Sequence, residues 1–489
     1  MAIDQGTTSS RVVLMNEHGQ IVAMASCEFK QYYPQPGWVE HDVEEIWASV
    51  EKSAHEALKK AKASPQDILA VGITNQRETV VPLRRSSGEP LHRAIVWQCR
   101  RTSEMCAKLK PKWQKVVRKK TGLVLDPYFS ATKMRWLIEN DNKVRQAAQE
   151  QDLVFVTIDA YLIWKLSSHQ VLATDVSNAS RTMLMNLKTA QWDAELMKLF
   201  KVAPHFLPEI KPSAGFFAHC RGQNFVADGV SVTGVAGDQQ AALFGQTCFK
   251  AGESKCTFGT GSFILMNTGS KPLMSQFGLL TTAAWQIKNQ PVQYALEGGA
   301  FICGAAVSWL RDGLGIIQKS SEIEGLASQV EDTGGIEFVP SLAGLGAPYW
   351  KAEARGQITG LTRATTKAHL ARATLEAMAL QNSDILQAMQ KDLKRKMRLL
   401  RVDGGAVQNN LLMQLQANYL NCTVERPQQV ESTAIGAAYL AGLGVGLWSS
   451  TESLRKLWKK EQDFRPQLSS SILKKRIQKW NQAIELNRL

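Results

Sequence analysis

Asp238 is the carboxylate around which chemistry can be organised in this chain. It stands in Gly234-Val-Ala-Gly-Asp-Gln-Gln-Ala-Ala-Leu-Phe-Gly-Gln246, after an apolar run, Val230 to Val235, that reads as a strand. The Ala/Leu/Phe-rich residues behind it read as a helix, and Gly237 permits the sharp turn between the two. A carboxylate at a helix start gains from the positive end of the helix dipole and stays ionised. It also lies at the carboxyl end of a strand, where open α/β sheets place their ligands. Such a group can act as a general base toward an alcohol. An Asp that only caps the helix satisfies the same pattern, so its companions must decide.

Those companions are turns suited to phosphate. Gly6-Thr7-Thr8-Ser9 and Gly259-Thr260-Gly261 combine glycine, which removes the Cβ obstruction, with threonine hydroxyls that add donors to the backbone N–H groups. Asp4, just ahead of the first turn, can hold Mg²⁺ through water, because magnesium keeps its waters and prefers few carboxylates. Arg11 can neutralise phosphate charge. Asp403-Gly404-Gly405-Ala406, followed by Asn409-Asn410, offers a glycine platform for a flat base or ribose. Each turn singly fits an ordinary hairpin or helix cap. The three together, in this order, are far more specific.

The elements that must position these residues follow from periodicity. Met1 to Ile3, Arg11 to Met15 and Gln20 to Phe29 read as strands, with Asn16 to Gly19 as a turn. Asp42 caps a helix whose apolar stripe is Val43, Ile46, Trp47, Val50, Ala54 and Leu58. Leu69 to Thr74 is a buried strand that delivers Asn75-Gln-Arg-Glu-Thr79, and Ala94 to Trp97 is a shorter one. The alternation of strand, loop and helix predicts a largely parallel sheet covered by helices. Lys255 to Phe258, the Gly/Thr turn and Phe263 to Asn267 repeat the Asp4–Met15 pattern. A long helix, Lys367 to Lys391, and the strand Leu399 to Val402 come later. The repeat predicts a duplicated fold with a cleft between two lobes.

Composition narrows the class. No apolar run reaches membrane-span length, and Ile435 to Trp448, with its Gly442/Gly446 spacing, reads as a helix packed tightly inside a soluble domain. Asp4 and Arg11 interrupt any leader-like apolar core. Eight scattered cysteines without a C-x-x-C pair read as reduced thiols of a cytoplasmic protein, and the histidines show no metal-ligand spacing. The net charge of +14 gathers in Lys108–Lys120 and Arg455–Lys479, where it mixes with apolar residues at helical spacing. Solvated amphipathic faces are expected there, not nucleic-acid binding.

Several blocks carry a resemblance. Asp4-Gln-Gly-Thr-Thr-Ser-Ser-Arg11, Gly72-Ile-Thr-Asn-Gln-Arg-Glu-Thr79, Ile95-Val-Trp-Gln-Cys-Arg-Arg-Thr102 and Gly122-Leu-Val-Leu-Asp-Pro-Tyr-Phe129 resemble the glycerol kinases of the carbohydrate-kinase family. So do Ser177-Asn-Ala-Ser-Arg-Thr-Met183, Gly237–Gln246, Gly344–Trp350 and Asp403–Ala406, so the resemblance spans essentially the whole chain. It implies an α/β fold of two actin-like (ribonuclease H-like) ATPase lobes, residues 1–246 for polyol, phosphate and metal and 247–489 for nucleotide. It implies phosphorylation of glycerol by Mg-ATP, with Asp238 as base and Arg77, Glu78, Tyr128, Asp238 and Gln239 on the hydroxyls. Trp97 and Phe263 would lie against the carbon chain, although core packing explains aromatic residues equally well. Thr7, Thr8, Ser9, Arg11 and Thr260 fall to the phosphates, and Gly304, Ser308, Gly405, Ala406 and Asn409 to the adenosine. A homo-oligomer, dimer or tetramer, is also implied. Three departures stand out. The first strand starts late, Ser308 replaces a common Gln, and Arg221–Val230 lacks the Gly/Arg loop that binds an inhibitory sugar bisphosphate in bacterial relatives. A kinase of a larger polyol or ketose, and a non-catalytic anion-binding protein, are the rival readings.

Overall fold

The computed structural model describes residues 1–351 and 353–488. Two mixed β-sheets share one topology. In the first, β1 (Ala2–Gln5), β2 (Ser9–Met15) and β3 (Ile21–Glu28) form an antiparallel meander. β4 (Ala70–Asn75) and then β5 (Ser231–Gly237) add in parallel beside β1, giving the order β3-β2-β1-β4-β5. In the second, β6 (Ser254–Phe258), β7 (Ser262–Gly269) and β8 (Gln293–Ala300) pair antiparallel in the same order, although a further strand, Leu280–Trp285, lies between β7 and β8 in the chain and pairs on the outer side of β8. β9 (Leu399–Asp403) and β10 (Thr423–Pro427) extend it in parallel, so the order is β8-β7-β6-β9-β10. The duplicated architecture expected from the two Gly/Thr hairpins is therefore present, as two actin-like lobes. The expectation of largely parallel sheets needs correction. Within these two sheets the β1, β4, β5 and β6, β9, β10 sets run parallel, while β1–β2–β3 and β6–β7–β8 pair antiparallel.

Local signals explain the elements that matter. The helix Val43–Ala61 is capped by Asp42, whose carboxylate accepts from the Glu44 N–H at 3.0 Å, and its predicted apolar stripe is buried against the first sheet. The first strand is central in its sheet. Asp4 is paired with Arg11 on one side and Thr74 on the other, and the Met1 amino group donates to the Ala70 carbonyl at 3.0 Å.

The lobes meet through two helices, α1 (Asp238–Gly245) and α2 (Ser432–Gly444), the latter packed across the first sheet although it comes from the second half of the chain. Glycine makes this approach possible. A Cβ on Gly436 would lie 1.8 Å from the Ala241 carbonyl oxygen, and one on Gly245 would lie 2.1 Å from that of Ser432. The tightly packed helix read at 435–448 is present, but the interlobe contact uses Gly245 and Gly436, and Gly446 lies past the helix end with nothing within 4 Å of an added Cβ. Gly442 instead accommodates the Trp448 ring. No helix among the described residues is long and apolar enough to cross a membrane.

Candidate active site

β5 ends at Gly237 and α1 begins at Asp238, so Asp238 is the first helical residue and Gly237 the cap. The simple capping role is thus excluded. Asp238 keeps about a third of its side chain exposed, and its Oδ1 lies 3.0 Å from Arg77 Nε and accepts from the Gln239 N–H at 2.7 Å.

Arg77 is almost fully engaged by protein. Its Nη1 and Nη2 donate to the two oxygens of Glu297 at 2.6 and 3.0 Å, and Nη1 also reaches Gln240 at 3.2 Å. The donor capacity that remains is on Nη2, 3.5 Å from the Tyr128 hydroxyl. Glu78, in the left-handed region at φ +62°, accepts from Arg181 Nε at 2.6 Å, and Arg181 Nη2 donates to Glu297 at 3.0 Å. Arg77 and Glu78 are therefore not a surface ion pair; both are buried, in a ladder Glu78–Arg181–Glu297–Arg77–Asp238 that crosses between lobes. Burial would raise the Glu297 carboxyl, but Arg181 and Arg77 outweigh it and hold it at about 2. Glu78 is raised, because burial exceeds the pull of the same two guanidiniums.

The aromatic candidates surround this ladder. Trp97 and Tyr128 are both part-exposed and meet edge to face at 5.6 Å. Phe263, also part-exposed, is directly opposite Gly299 in the β7–β8 pairing, two residues along from the Leu265–Glu297 pair. It therefore shares the sheet face from which Glu297 reaches Arg77. None of the three is simply core. Gln239 is buried, and its side-chain oxygen accepts from Lys255 Nζ.

The first Gly/Thr turn closes with the Gly6 N–H donating to the Ser9 carbonyl at 2.9 Å, and the second with Gly259 donating to Gly261 at 2.9 Å. Among the described residues the N–H groups of Thr7, Thr8 and Thr260 donate to no protein carbonyl, which leaves them open to an anion. Arg11 is not free to meet phosphate alone; it forms an ion pair with Glu431. Burial pushes the Asp4 carboxyl up to about 7; Arg11 opposes this, and the Asp238 and Glu431 carboxylates add to it.

Thr260, Gly304, Ser308, Gly405, Ala406 and Asn409, scattered over the second half of the sequence, line a single cavity of about 460 Å³. Its walls include Leu375, Met378 and Leu412, suited to the faces of a flat ring. Gly404, next to the lining residue Gly405, stands at φ +93°, where a Cβ would lie 2.5 Å from the carbonyl oxygen of Phe258, itself a lining residue. Asn409 caps the helix Asn410–Leu420 through its side-chain oxygen, 2.8 Å from the Leu412 N–H, so its amide nitrogen is what remains for a ligand.

Sequence reasoning assigned no role to Glu297, Lys255 or Arg181. Glu297 and Lys255 are lone charges inside otherwise uncharged strands, Gln293–Ala300 and Ser254–Phe258, a signal that the residue faces a counter-charge and not solvent. Lys255 also lies within electrostatic reach of Asp403 and Asp238.

Comparison with known proteins agrees with this geometry. The N-terminal domain model of the FGGY family of carbohydrate kinases matches residues 1–245, and the C-terminal domain model matches residues 254–445. The chain belongs to the FGGY family of carbohydrate kinases. Within that class it is 57% identical over 486 residues to a glycerol kinase of Bdellovibrio bacteriovorus, covering 99% of this chain and 98% of that protein. It is 49% identical to glycerol kinase 2 of Thermotoga maritima, covering 99% and 97%. The crystal structure of Plasmodium falciparum glycerol kinase with ADP superposes with a TM-score of 0.93 at 37% identity, covering 100% of this chain and 97% of that one. A gluconate kinase from Lactobacillus acidophilus shares the fold, with a TM-score of 0.87 at 22% identity.

Proposed function

We propose that this chain transfers the γ-phosphoryl group of ATP to a terminal hydroxyl of glycerol, forming sn-glycerol 3-phosphate and ADP. The observation that carries the reading is a single part-exposed carboxylate, Asp238, held at a helix start beside a buried arginine that has little donor capacity left. Glycerol is nearly all hydroxyl, and the open groups here match it: Arg77 Nη2 with the Tyr128 hydroxyl, the Glu78 carboxylate and the Gln239 amide. Trp97 and Phe263 would meet its C–H side. Asp238 accepts the proton of the hydroxyl as its oxygen attacks phosphorus, following the general scheme of phosphoryl transfer. Thr7, Thr8, Ser9 and Thr260 would hold phosphate oxygens, with Arg11 contributing charge. The 460 Å³ cavity would take the adenosine through Gly304, Ser308, Gly405, Ala406 and Asn409.

Mg²⁺ fits this site. Asp4 is held near two further carboxylates and would gain from a cation, while no three metal-binding side chains converge among the described residues. That suits an ion retained by one carboxylate, its own waters and the substrate phosphates. Bound there, the ion would neutralise phosphate charge. We assign 1–246 as the polyol and phosphate lobe and 247–489 as the nucleotide lobe. The partners are glycerol, ATP and ADP, in a cytoplasmic homo-oligomer of two or four chains.

The test is a coupled ADP-release assay over a panel of short polyols and pentuloses with a no-acceptor control. Glycerol should be preferred, and Asp238→Asn should lose about 10²- to 10⁴-fold in kcat with its unfolding midpoint retained. Near-normal turnover by that variant would remove Asp238 as the base. A pentulose preferred over glycerol would reassign the substrate.

A further inference from the structure

The Gly6–Ser9 turn is held by three side chains from outside its own hairpin. Gln31 Nε2 donates to the Thr7 carbonyl at 2.9 Å and Gln76 Nε2 to the Gly6 carbonyl at 3.2 Å, so both hold backbone. The third is Trp97, whose indole Nε1 donates to Thr7 Oγ1 at 3.0 Å. An indole N–H can only donate, so the Thr7 oxygen accepts from it, and the hydroxyl's own hydrogen is left for another acceptor. A hydroxyl that accepts one hydrogen bond also donates a stronger one. The Thr7 hydroxyl hydrogen is thereby left for an acceptor other than Trp97.

The other contacts of Trp97 lie toward the acceptor pocket. Its ring meets Tyr128, whose hydroxyl is 3.5 Å from Arg77 Nη2. Its backbone N–H donates to Thr79 Oγ1 at 3.3 Å, and that hydroxyl donates at 2.9 Å to Gln76, the amide that also holds Gly6. Two connected routes therefore run from the Tyr128 side to the turn, and both pass through Trp97. Packing alone would need the ring but not its N–H.

We propose that Trp97 is a positioning residue that couples the alcohol pocket to the phosphate-binding turn: an alcohol against the ring fixes the indole, and the indole N–H fixes the Thr7 hydroxyl for the donor phosphate. This rests on the assignment of Gly6–Ser9 to phosphate and of Trp97 to the wall of the alcohol pocket. Trp97→Phe keeps an aromatic ring and removes the N–H. The expected result is a loss of about three- to tenfold in kcat/KM for ATP, the worth of one neutral hydrogen bond. KM for glycerol should stay within about twofold on the same scale. Thr7→Val should show the same pattern, Thr7→Ser, which keeps the hydroxyl, should retain more ATP use than Thr7→Val, and Trp97→Phe should add less than about twofold in the Thr7→Val background. Glycerol should tighten binding of a non-hydrolysable ATP analogue in the wild type, and that gain should shrink in Trp97→Phe. Trp97→Tyr carries the same expectations if phenylalanine leaves the fold unstable. If Thr7→Val impairs ATP use and neither Trp97 variant does, or if the two effects multiply, the coupling is overturned while the phosphate turn stands. If Thr7→Val and the Trp97 variants all leave ATP use unchanged, the assignment of the turn falls as well.

Discussion

Replacing Glu297 with glutamine tests the ladder on which both substrate geometry and lobe contact depend. Glu297 is 2% exposed and accepts from Arg77 at 2.6 and 3.0 Å and from Arg181 at 3.0 Å. Its carboxyl stands at about 2 against an ordinary 4.5, a gap worth about 3 kcal/mol of native-state stability. Removing one partner from a buried ion cluster costs a similar ~3–5 kcal/mol. Because the native value is the lower one, this contribution is complete above about pH 4.5 and fades as pH falls toward 2. In Glu297→Gln, Arg77 is left with Asp238 as its nearest strong partner, so the base is held more tightly and kcat should fall by at least about tenfold. Urea unfolding at pH 7 should show a loss of about 3 kcal/mol, shrinking as the experiment is repeated down to pH 3. An unchanged midpoint at pH 7, or a loss independent of pH, would refute the reasoning.

Asp4→Asn should raise the unfolding temperature of the ligand-free protein at pH 8, since it removes a carboxylate that burial, against the pull of Arg11 and with a smaller push from Asp238 and Glu431, holds up at about 7, while turnover collapses in the ADP assay. Gly404→Ala should destabilise the second lobe by at least ~1–2 kcal/mol, because φ is +93° and the Phe258 carbonyl blocks the added methyl. Calorimetry should also show weaker ADP binding. Seven of the eight free cysteines are buried, and burial pushes the thiols of Cys106, Cys220, Cys248, Cys303 and Cys422 up to about 12. A disulfide reagent at pH 8 should therefore titrate one fast thiol, Cys27, in the native protein and all eight in urea.

What this sequence determined by itself is local. Asp42 ahead of an apolar stripe sets one helix, and Gly/Thr turns between short strands set the two hairpins. Gly237-Asp238 sets a strand-to-helix corner that puts a carboxylate at a strand's end. Spacing of a few residues suffices for these, because the interactions that form them are themselves a few residues long. Tertiary structure alone decided which partners those residues meet. Arg77 finds Glu297 at a separation of 220 residues, Arg181 finds it at 116, and Arg11 finds Glu431 at 420. No periodicity encodes such pairings, since they form only once two separately cored lobes have been brought together by Gly245 and Gly436. The same holds for the nucleotide cavity, whose six expected residues come from three chain segments between Thr260 and Asn409. Residue chemistry named the candidates, and the closing of distant backbone around them turned Arg77 from a general alcohol ligand into one with a single open edge.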